Sequence, residues 1–401
     1  MEKLFDRHRE YMALVPMDYI RSFADNIDWQ ARLTVIKGPK GVGKSTLMQQ
    51  YIKSHYSDGD QHVLYCSADM SYFSNHTLTE VADKFIKQGG THLFIDEIHK
   101  YSGWSAEIKE IYDLYRGLRV VLSGSSLLQI NDGDVDLSRR MVCYNMPGLS
   151  FREFLRLDQG IQTDPVGLED ILNNSAESCS AIRKKCRPLE FFGRYLERGY
   201  YPFCFEAGKN YHGLVEAVVN YTVDSELTRY RGLDIGNSNK LKALLQVISE
   251  MVPYDVDISK LSRSIGIMRP TTLKYLKHLE ESCLIRRVFE DLKRITDLQK
   301  PDKIYLDNTN LMYVLCQDRP DTGTMRETFV ANQLAAAGHR VEYAGYKNGD
   351  FRVDGKYIIE IGGADKGYGQ IGSQPNSFIA ADDIDTAYGR KIPLWMLGFL
   401  Y

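Results

Sequence analysis

Short apolar runs alternate with longer amphipathic stretches along the N-terminal part of the chain. The apolar runs predict five strands, at Leu33–Lys37, His62–Ser67, His92–Asp96, Leu118–Ser123 and Met141–Met146. Segments with helical spacing lie between these runs, at Ser45–His55, Thr77–Gln88 and Ala106–Tyr115. Strands that alternate with helices indicate βαβ units and a parallel sheet that is covered on both faces. We therefore predict an α/β domain over residues 1–155.

The pattern changes beyond this domain. Residues 156–235 are mostly helical in character and predict a lid or linker. Residues 236–310 predict three helices and a β-hairpin, which is an arrangement typical of a winged helix. Residues 311–401 combine a helix around Arg326–Ala337 with short strands, which predicts a small α+β domain.

Composition narrows the class of protein. The 401 residues are 43% hydrophobic and 26% charged, as in ordinary globular proteins, and the net charge of −3 gives no overall basic field for nucleic acid. The seven cysteines include no C-x-x-C pair, which argues against a zinc site or a disulfide framework. The N-terminus lacks the apolar segment of a signal peptide, and no run of 18 apolar residues occurs. We expect a cytoplasmic protein without a membrane partner.

A glycine-rich loop follows the first predicted strand. Residues 38–45 match G-x-x-x-x-G-K-[S/T] between a strand and a helix, which is the context that this phosphate-binding motif requires. Glycines let backbone N–H groups surround phosphate oxygens, and the helix N-terminus adds its positive dipole. Lys44 is expected to reach the β- and γ-phosphates of ATP, and Ser45 to ligate Mg²⁺. The residues predicted to bind ATP are Gly38, Pro39, Lys40, Gly41, Val42, Gly43, Lys44, Ser45 and Thr46.

Two acids end the third predicted strand. Asp96 is expected to hold Mg²⁺ through water, and Glu97 to polarise the attacking water as a general base. Asp96 lies 52 residues after Lys44, with one predicted strand in between. This order lets the Asp96 strand lie near the loop in a sheet where a further strand inserts between them.

The inserted strand, Leu118–Ser123, continues into a serine- and glycine-rich turn that would approach the γ-phosphate. Ser123 and Ser125 are both candidates for a sensor of that phosphate, and the sequence does not separate them. Arg139 and Arg140 precede the last predicted strand. An arginine in this region, near a subunit edge, is a candidate for acting in trans on the ATP of a neighbouring copy in a homo-oligomer.

Several phrases of the sequence carry a family resemblance. They lie, in this order, at residues 38–45, 94–104, 122–126 and 149–155, with two more at 198–203 and 303–311. With them the chain resembles a prokaryotic family that joins an N-terminal AAA-type ATPase module to a C-terminal domain of unknown function. The resemblance covers nearly the whole chain and implies little about biological role.

The resemblance implies particular roles for residues of the first half. It implies ATPase activity, with Lys44, Ser45, Asp96 and Glu97 at the family's nucleotide motifs. It also favours Arg140, rather than its neighbour, as the arginine that acts in trans.

A helix-turn-helix with a wing is predicted within residues 236–310. Its helices would be Ile258–Ile265 and Pro270–Ser282, and its wing Leu284–Phe289 with Lys303–Asp307. The polar residues placed away from the apolar stripe of the second helix are Thr271, Thr272, Lys274, Lys277 and His278, and the basic residues near the wing are Arg286, Arg287, Lys293 and Arg294. The whole segment carries 13 basic and 10 acidic side chains, a small and spread field. DNA and a protein both stay open as partners.

Three acids in the last segment resemble the metal-binding set of the restriction-endonuclease fold: Glu327, Asp350 and Glu360. A three-residue loop at Val353–Gly355 would bring the last two acids to one face of a hairpin. In that fold a lysine follows the last acid by two residues, whereas this chain has Gly362 there and Lys366 four residues later. We therefore predict a degenerate domain used for interaction, without nuclease activity.

These observations predict an α/β, AAA-type P-loop NTPase sheet followed by a helical segment, a winged helix and a small α+β nuclease-like domain. The predicted function is an ATPase that couples the binding and hydrolysis of Mg-ATP to the binding of a partner or DNA by its C-terminal half. Two alternatives stay open, an ATP-regulated DNA-binding protein with slow turnover and an ATP-gated nuclease.

Overall fold

The computed structural model describes residues 1–126, 137, 139–228, 235–251, 256–290, 299–372 and 374–401. These residues form two compact units, Met1–Pro147 and Gly148–Tyr401. Residues 148–155, which we predicted as the end of the α/β domain, lie in the second unit. The predicted boundaries at residues 235 and 310 stay predictions.

The first unit is built on a parallel sheet of five strands, β1 (Leu33–Gly38), β2 (Val63–Ser67), β3 (His92–Asp96), β4 (Arg119–Ser125) and β5 (Val142–Asn145). Their order in the sheet is β2-β3-β4-β1-β5. Strand β4 therefore lies between β1 and β3, as the sequence predicted. The five predicted strands and the α/β class are confirmed.

Four helices accompany this sheet, α1 (Glu2–Leu14), α2 (Lys44–His55), α3 (Leu78–Lys87) and α4 (Trp104–Leu114). One face of the sheet shares a core with Phe85 of α3 and Ile108 of α4. On the other face, the ring of Tyr51 on α2 stacks on Trp29 at 4.1 Å and approaches Phe94 of β3 at 6.1 Å. Because successive side chains of a strand point to opposite faces, strands covered on both sides are apolar throughout.

Helix α1 lies against the edge strand β2. The Nδ1 atom of buried His8 accepts a hydrogen bond of 2.9 Å from the N–H of Tyr65. This bond provides a partner for a backbone group of an edge strand. Burial, together with the nearby charge of Arg9, lowers the pKa of His8 to about 4, so the imidazole is neutral and its Nδ1 can accept.

The second unit begins with helices α5 (Phe151–Gln159), α6 (Leu168–Asn173), α7 (Ser175–Arg183), α8 (Pro188–Arg198), α9 (Cys204–Ala207) and α10 (Tyr211–Tyr221). A π-helical segment, Thr222–Leu227, continues α10, and α11 spans Ile235–Glu250. A capping box of Ser150 and Glu153 starts α5. Ser150 Oγ and Arg152 Nε also donate to the carbonyl of Tyr401, at 2.7 and 2.8 Å. The phrase at residues 149–155 thus has a structural role in the second unit.

The remaining elements complete the second unit. Helices α12 (Ile258–Ser264) and α13 (Arg269–Glu281) precede the antiparallel pair β6 (Ile285–Val288) and β7 (Lys303–Leu306), followed by α14 (Thr309–Leu315) and α15 (Thr322–Ala336). A mixed sheet with the order β12-β11-β10-β9-β8 contains β8 (Val341–Tyr343), β9 (Phe351–Val353), β10 (Tyr357–Gly362), β11 (Ser377–Ala381) and β12 (Lys391–Pro393). These elements agree with the predicted helices and strands, and whether the first four form a DNA-binding winged helix stays a prediction.

A buried polar network joins the family phrases at residues 198–203 and 303–311. Asn310 Oδ1 accepts from the N–H of Tyr200 at 2.8 Å and from the hydroxyl of Tyr211. The amide of Asn310 donates to the carbonyls of Tyr195 and Leu196, at 3.2 and 2.8 Å, near the end of α8. A buried amide whose donors and acceptor are all bonded holds neighbouring elements in one arrangement. The phrases therefore mark a structural core.

Along the parts of the chain that the structure describes, no helix is both long and apolar enough to cross a membrane. The cysteines are free thiols.

Candidate nucleotide-binding site

The loop between β1 and α2 has the backbone that a phosphate-binding turn needs. Gly41 and Gly43 have φ values of 84° and 95°, in the left-handed region that favours glycine. A Cβ atom on Gly38 would lie 2.3 Å from the carbonyl oxygen of Met146, so no other residue fits there without a shift. Because α2 begins at Lys44, the N–H groups of its first turn have no partner within the helix and suit a phosphate.

The Lys44 side chain is held inside this loop. Its Nζ donates to the carbonyls of Gly38 and Pro39, at 2.8 Å each, and the residue is buried. Ser45 and Thr46, the next residues of α2, are half-buried. An ammonium group beside a glycine-rich loop fits phosphate, and the Ser45 hydroxyl is the kind of hard oxygen ligand that Mg²⁺ prefers. The predicted ATP-binding residues 38–46 are thus contiguous around one loop and helix start.

Two hydroxyl groups orient the carboxylate of Asp96. Ser123 Oγ on β4 donates to one oxygen, and the Tyr65 hydroxyl on β2 donates to the other at 2.8 Å. Burial and the negative charge of Asp96 raise the pKa of Tyr65 well above its usual range, so the phenol stays protonated. Tyr65 was not predicted as a site residue. The one feature of the sequence that marks it is a phenol within the apolar run of β2.

Glu97 follows Asp96 with an unusual backbone. Its φ of 51° is left-handed, and its N–H donates to Ser123 Oγ at 3.1 Å. Such a conformation costs a non-glycine residue on the order of 1 kcal/mol and persists where the surroundings hold it. The Glu97 side chain is 24% exposed, and its Oε2 lies 3.2 Å from Nε2 of buried His99. A partly exposed carboxylate next to the fixed carboxylate of Asp96 is suited to contact water.

The two candidate serines have different surroundings. Ser123 is fully buried between the carboxylate of Asp96 and the N–H of Glu97. Ser125 pairs in register with Gly38, the first residue of the phosphate-binding loop. Ser123 therefore orients the two acids, whereas Ser125 lies beside the loop. Which of them senses the γ-phosphate stays a prediction.

Arg140 lies near the amino ends of the strands, whereas the loop follows the carboxyl end of β1. Val142 of β5 pairs with Thr34 near the beginning of β1, whereas the loop starts at Gly38 at the end of that strand. A strand of this length spans roughly 15–20 Å. Arg140 Nε lies 3.2 Å from Asp113 on the last turn of α4. Arg140 therefore does not lie beside the phosphate-binding loop of its own chain.

Much of the predicted DNA-contacting set of the second unit is buried or paired. Thr272 and His278 are buried, contrary to the prediction, and the hydroxyl of Thr272 forms a 2.8 Å bond with that of Ser262 on α12. This bond joins α12 to α13. A pattern of apolar positions does not predict that a threonine is buried in this way. Arg286 and Arg287 form ion pairs of 2.8 and 2.7 Å with acids of the same unit. Lys293 and Arg294 lie outside the described residues.

The hairpin of the last segment has a three-residue loop, as predicted, but at residues 354–356 instead of 353–355. Val353 pairs with Tyr357, which leaves three residues between them and places Asp350 and Glu360 on one face. Lys303 Nζ on β7 lies 2.9 Å from the Glu327 carboxylate and 3.3 Å from that of Asp350. Although burial favours the neutral amine, these two carboxylates raise the pKa of Lys303. We call Lys303, Glu327, Asp350, Glu360 and Lys366 the carboxylate cluster.

Lys366 supplies a cation beside Glu360, contrary to the expectation from Gly362. Its Nζ lies 2.5 Å from Glu360 Oε1, and its side chain passes directly over Gly362. A Cβ on Gly362 would lie within 2.8 Å of three carbons of that lysine. The cation that position 362 lacks is therefore supplied from position 366. Within the ranges that the structure describes, no three His, Cys, Asp or Glu side chains are arranged to hold a metal ion.

Two family models match separate parts of the chain. Residues 30–155 match a family described as an AAA domain, and residues 189–322 match a domain of unknown function, DUF8612. An uncharacterized protein of Methanocaldococcus jannaschii, MJ1637, is 23% identical over 366 residues, which cover 84% of this chain and 77% of that protein.

Solved structures of AAA-type proteins are also similar. A RuvB variant of Thermotoga maritima is 14% identical, with 72% of this chain and 89% of RuvB covered and a TM-score of 0.26. C. elegans PCH-2 is 15% identical, with 45% of this chain and 56% of PCH-2 covered and a TM-score of 0.25.

Proposed function

We propose that this chain, an AAA-type ATPase with a C-terminal domain of unknown function, binds Mg-ATP in its first unit and hydrolyses it. The observation that carries the proposal is the placement of Lys44, Asp96 and Glu97 at the carboxyl ends of β1 and β3, on either side of β4. Ligands of open parallel sheets bind at this edge. Ser45 and Asp96 would hold Mg²⁺, which supplies positive charge against the phosphate oxygens.

The proposed chemistry follows from these positions. Lys44 binds the β- and γ-phosphates, and Glu97 accepts a proton from a water molecule. The water oxygen forms a bond to the γ-phosphorus while the bond from that phosphorus to the bridging oxygen breaks, which gives ADP and phosphate. Ser123 holds the backbone of Glu97 and the carboxylate of Asp96 in place for this step.

Hydrolysis is tested with Glu97→Gln, which removes the base and keeps the shape. Turnover, measured as phosphate release, should fall roughly 10²–10⁴-fold, whereas the Kd for ATP should stay within about twofold. The matched control is Glu110→Gln on α4, an exposed glutamate outside the site. Loss of both turnover and affinity would make Glu97 structural, and a wild-type protein without turnover under any condition would remove the enzyme proposal.

We also propose that the nucleotide state changes how the second unit binds a partner. The start of α13 supports a contact surface there, because Met268 is 75% exposed and Arg269, Pro270 and Lys274 are exposed too. A pull-down with Glu97→Gln in ATP should retain a partner that Lys44→Ala does not retain. Recovery of DNA, lost as salt rises, would favour the DNA-binding alternative. Equal recovery with both variants would contradict coupling.

We propose that Arg140 acts in trans in a homo-oligomer. Its distance from the loop of its own chain supports this role, because Val142 pairs with Thr34 at the end of β1 that lies away from the loop. Mixing Arg140→Ala with Lys44→Ala protein should restore part of the turnover, because mixed assemblies contain sites with intact residues from both copies. A monomer by light scattering that is fully active at high dilution would contradict the proposal.

We propose that the carboxylate cluster does not cleave DNA. Lys303 supports this, because its ammonium lies between Glu327 and Asp350, where a nuclease of this fold would hold Mg²⁺. Plasmid incubated with the protein and Mg²⁺ or Mn²⁺ should stay intact. Robust cleavage that Asp350→Ala or Glu360→Ala abolishes would overturn this and show that Lys366 or another cation replaces the missing lysine.

A further inference from the structure

His99 connects the candidate base to the strand beside the phosphate-binding loop. It lies in the 3₁₀ turn Ile98–Lys100, directly after Glu97, and its side chain is 2% exposed. Its Nδ1 accepts from the N–H of Ser125 at 3.3 Å, and its Nε2 lies 3.2 Å from Oε2 of Glu97. The second contact is close but not aligned as a hydrogen bond in this geometry. One buried ring thus touches both the acid and the end of β4.

The contacts determine which ring nitrogen carries the proton. A backbone N–H can only donate, so Nδ1 must present its lone pair to Ser125. The proton of the neutral imidazole is therefore on Nε2, the nitrogen that faces the Glu97 carboxylate. This tautomer lets the ring donate to Glu97 after a small rotation of either side chain.

We propose that His99 is a positioning residue that ties the carboxylate of Glu97 to the backbone of Ser125. Ser125 pairs with Gly38 at the start of the loop, so a shift of β4 at its end reaches Glu97 through the imidazole. Ser123 holds the backbone of Glu97 from the other side. His99 thereby aligns the base according to the state of the nucleotide pocket. The inference rests on the proposed ATP hydrolysis by Glu97.

The alternative is that His99 only fills the core and satisfies the Ser125 N–H. Two substitutions separate these roles. In His99→Asn the amide oxygen replaces Nδ1 and can still accept from Ser125, but the side chain is too short to reach Glu97. In His99→Gln the amide nitrogen replaces Nε2 and can donate to Glu97. If His99 has only a structural role, His99→Asn should keep the activity. If His99 positions Glu97, His99→Gln should keep it.

The test is steady-state ATP hydrolysis with a separate measurement of ATP affinity. His99→Asn should lower kcat by about 10–100-fold with an unchanged Kd for ATP, and His99→Gln should regain most of the rate. His92→Asn is the matched control, since His92 is a buried histidine at the opposite end of β3, and its kcat should match the wild type. In a Glu97→Gln background, His99→Asn should cause no further loss, because it acts through Glu97.

The outcomes are distinguishable. If the wild type hydrolyses ATP and His99→Asn does so at the same rate, the positioning role is wrong while the ATPase proposal stands. If His99→Gln is as slow as His99→Asn, or if His99→Asn slows the Glu97→Gln protein further, His99 does not act through Glu97. If the wild type shows no hydrolysis, the function and the inference fail together.

Discussion

A lysine lies at the centre of a polar site in each unit, but the two lysines have different partners. In the first unit Lys44 donates to two backbone carbonyls of a glycine-rich loop. In the second unit Lys303 lies against the carboxylates of Glu327 and Asp350. The first arrangement gives a cation that carbonyl dipoles hold in place for an anionic ligand. The second gives a cation whose charge is already neutralised by two carboxylates of the same unit.

This difference favours ligand binding at the first site and a structural role for the second. A buried ion pair is expensive to form because both charges leave water, but removal of one partner is more costly still. Lys303 joins β7 to α15 and to the hairpin that carries Asp350, so its pairing contributes to the packing of three elements. The contrast predicts that loss of Lys44 affects ligand binding and loss of Lys303 affects stability.

The largest expected effect is that of Lys44→Ala on ATP binding. The substitution removes the positive charge that faces the β- and γ-phosphates, so affinity in a calorimetric titration should fall at least about 1,000-fold, or about 4 kcal/mol. Lys53→Ala on the same helix is the control, because Lys53 is directed toward the carbonyl of Val15 and not toward the loop. An unchanged Kd in Lys44→Ala would defeat the phosphate-binding assignment. If Lys44→Ala lost stability but kept normal ATP affinity, Lys44 would have a structural role like that of Lys303.

Lys303→Met should instead destabilise the second unit by about 3 kcal/mol, because it leaves two half-buried carboxylates without their cation. Burial and the charge of Asp350 already raise the pKa of Glu327, and Lys303 opposes that rise. Without the lysine the pKa should rise further. A carboxyl with a raised pKa contributes stability that is lost as pH increases through the folded value, so the variant should be weaker at pH 8 than at pH 5.

Hydrogen exchange of peptides from α15 and β10 measures this effect within the second unit. Lys274→Met, at an exposed position of α13, is the control and should exchange like the wild type. Glu327→Gln in the Lys303→Met background should recover part of the protection, since it removes one unpaired charge. Protection equal to the wild type in Lys303→Met alone would show that the cluster contributes little to stability.

The sequence predicted the first unit well because its signals are local. Apolar runs marked all five strands, and a loop motif between a strand and a helix placed Lys44 and Ser45. The position of Asp96 across β4 followed from strand order, which chain connectivity restricts strongly. Two residues of this unit were missed, Tyr65 on β2 and His99 in the turn after β3. They act through contacts of their side chains with other elements, which spacing along the chain does not reveal.

The second unit was harder to predict because its contacts are distant in the sequence. Asn310 bonds to Tyr200 and Tyr211, about a hundred residues away, so the family phrases could be seen but not explained. Lys303 reaches Asp350 from a different strand pair, and Lys366 reaches Glu360 by folding back over a glycine. From residue spacing alone, Gly362 was expected to leave Glu360 without a lysine. Spacing does not show that the chain after Gly362 folds back and brings Lys366 to Glu360.

The smallest expected effect concerns opposite responses of the two units to acid. His8 has a folded pKa of about 4, below its usual 6.5, so its contribution to stability is present above pH 6.5 and is lost as pH falls toward 4. The first unit should lose about 2 kcal/mol between pH 6.5 and 4.5 through this residue. In the second unit Glu360 has a raised pKa, mainly from burial, so its contribution is favoured at low pH.

Hydrogen exchange at pH 6.5 and 4.5, corrected for the intrinsic rates, resolves the two units. Peptides of α1 and β2 should lose protection at the lower pH, whereas those of β10 should not. His8→Asn keeps an acceptor for the Tyr65 N–H but does not titrate in this range, so it should remove most of the pH response of α1 and β2. His62→Asn is the control, because the side chain of His62 is exposed and lies against the neighbouring Asp60. This variant should leave the pH response intact. The same loss of protection in His8→Asn as in the wild type would assign the response to other groups and remove this contrast between the units.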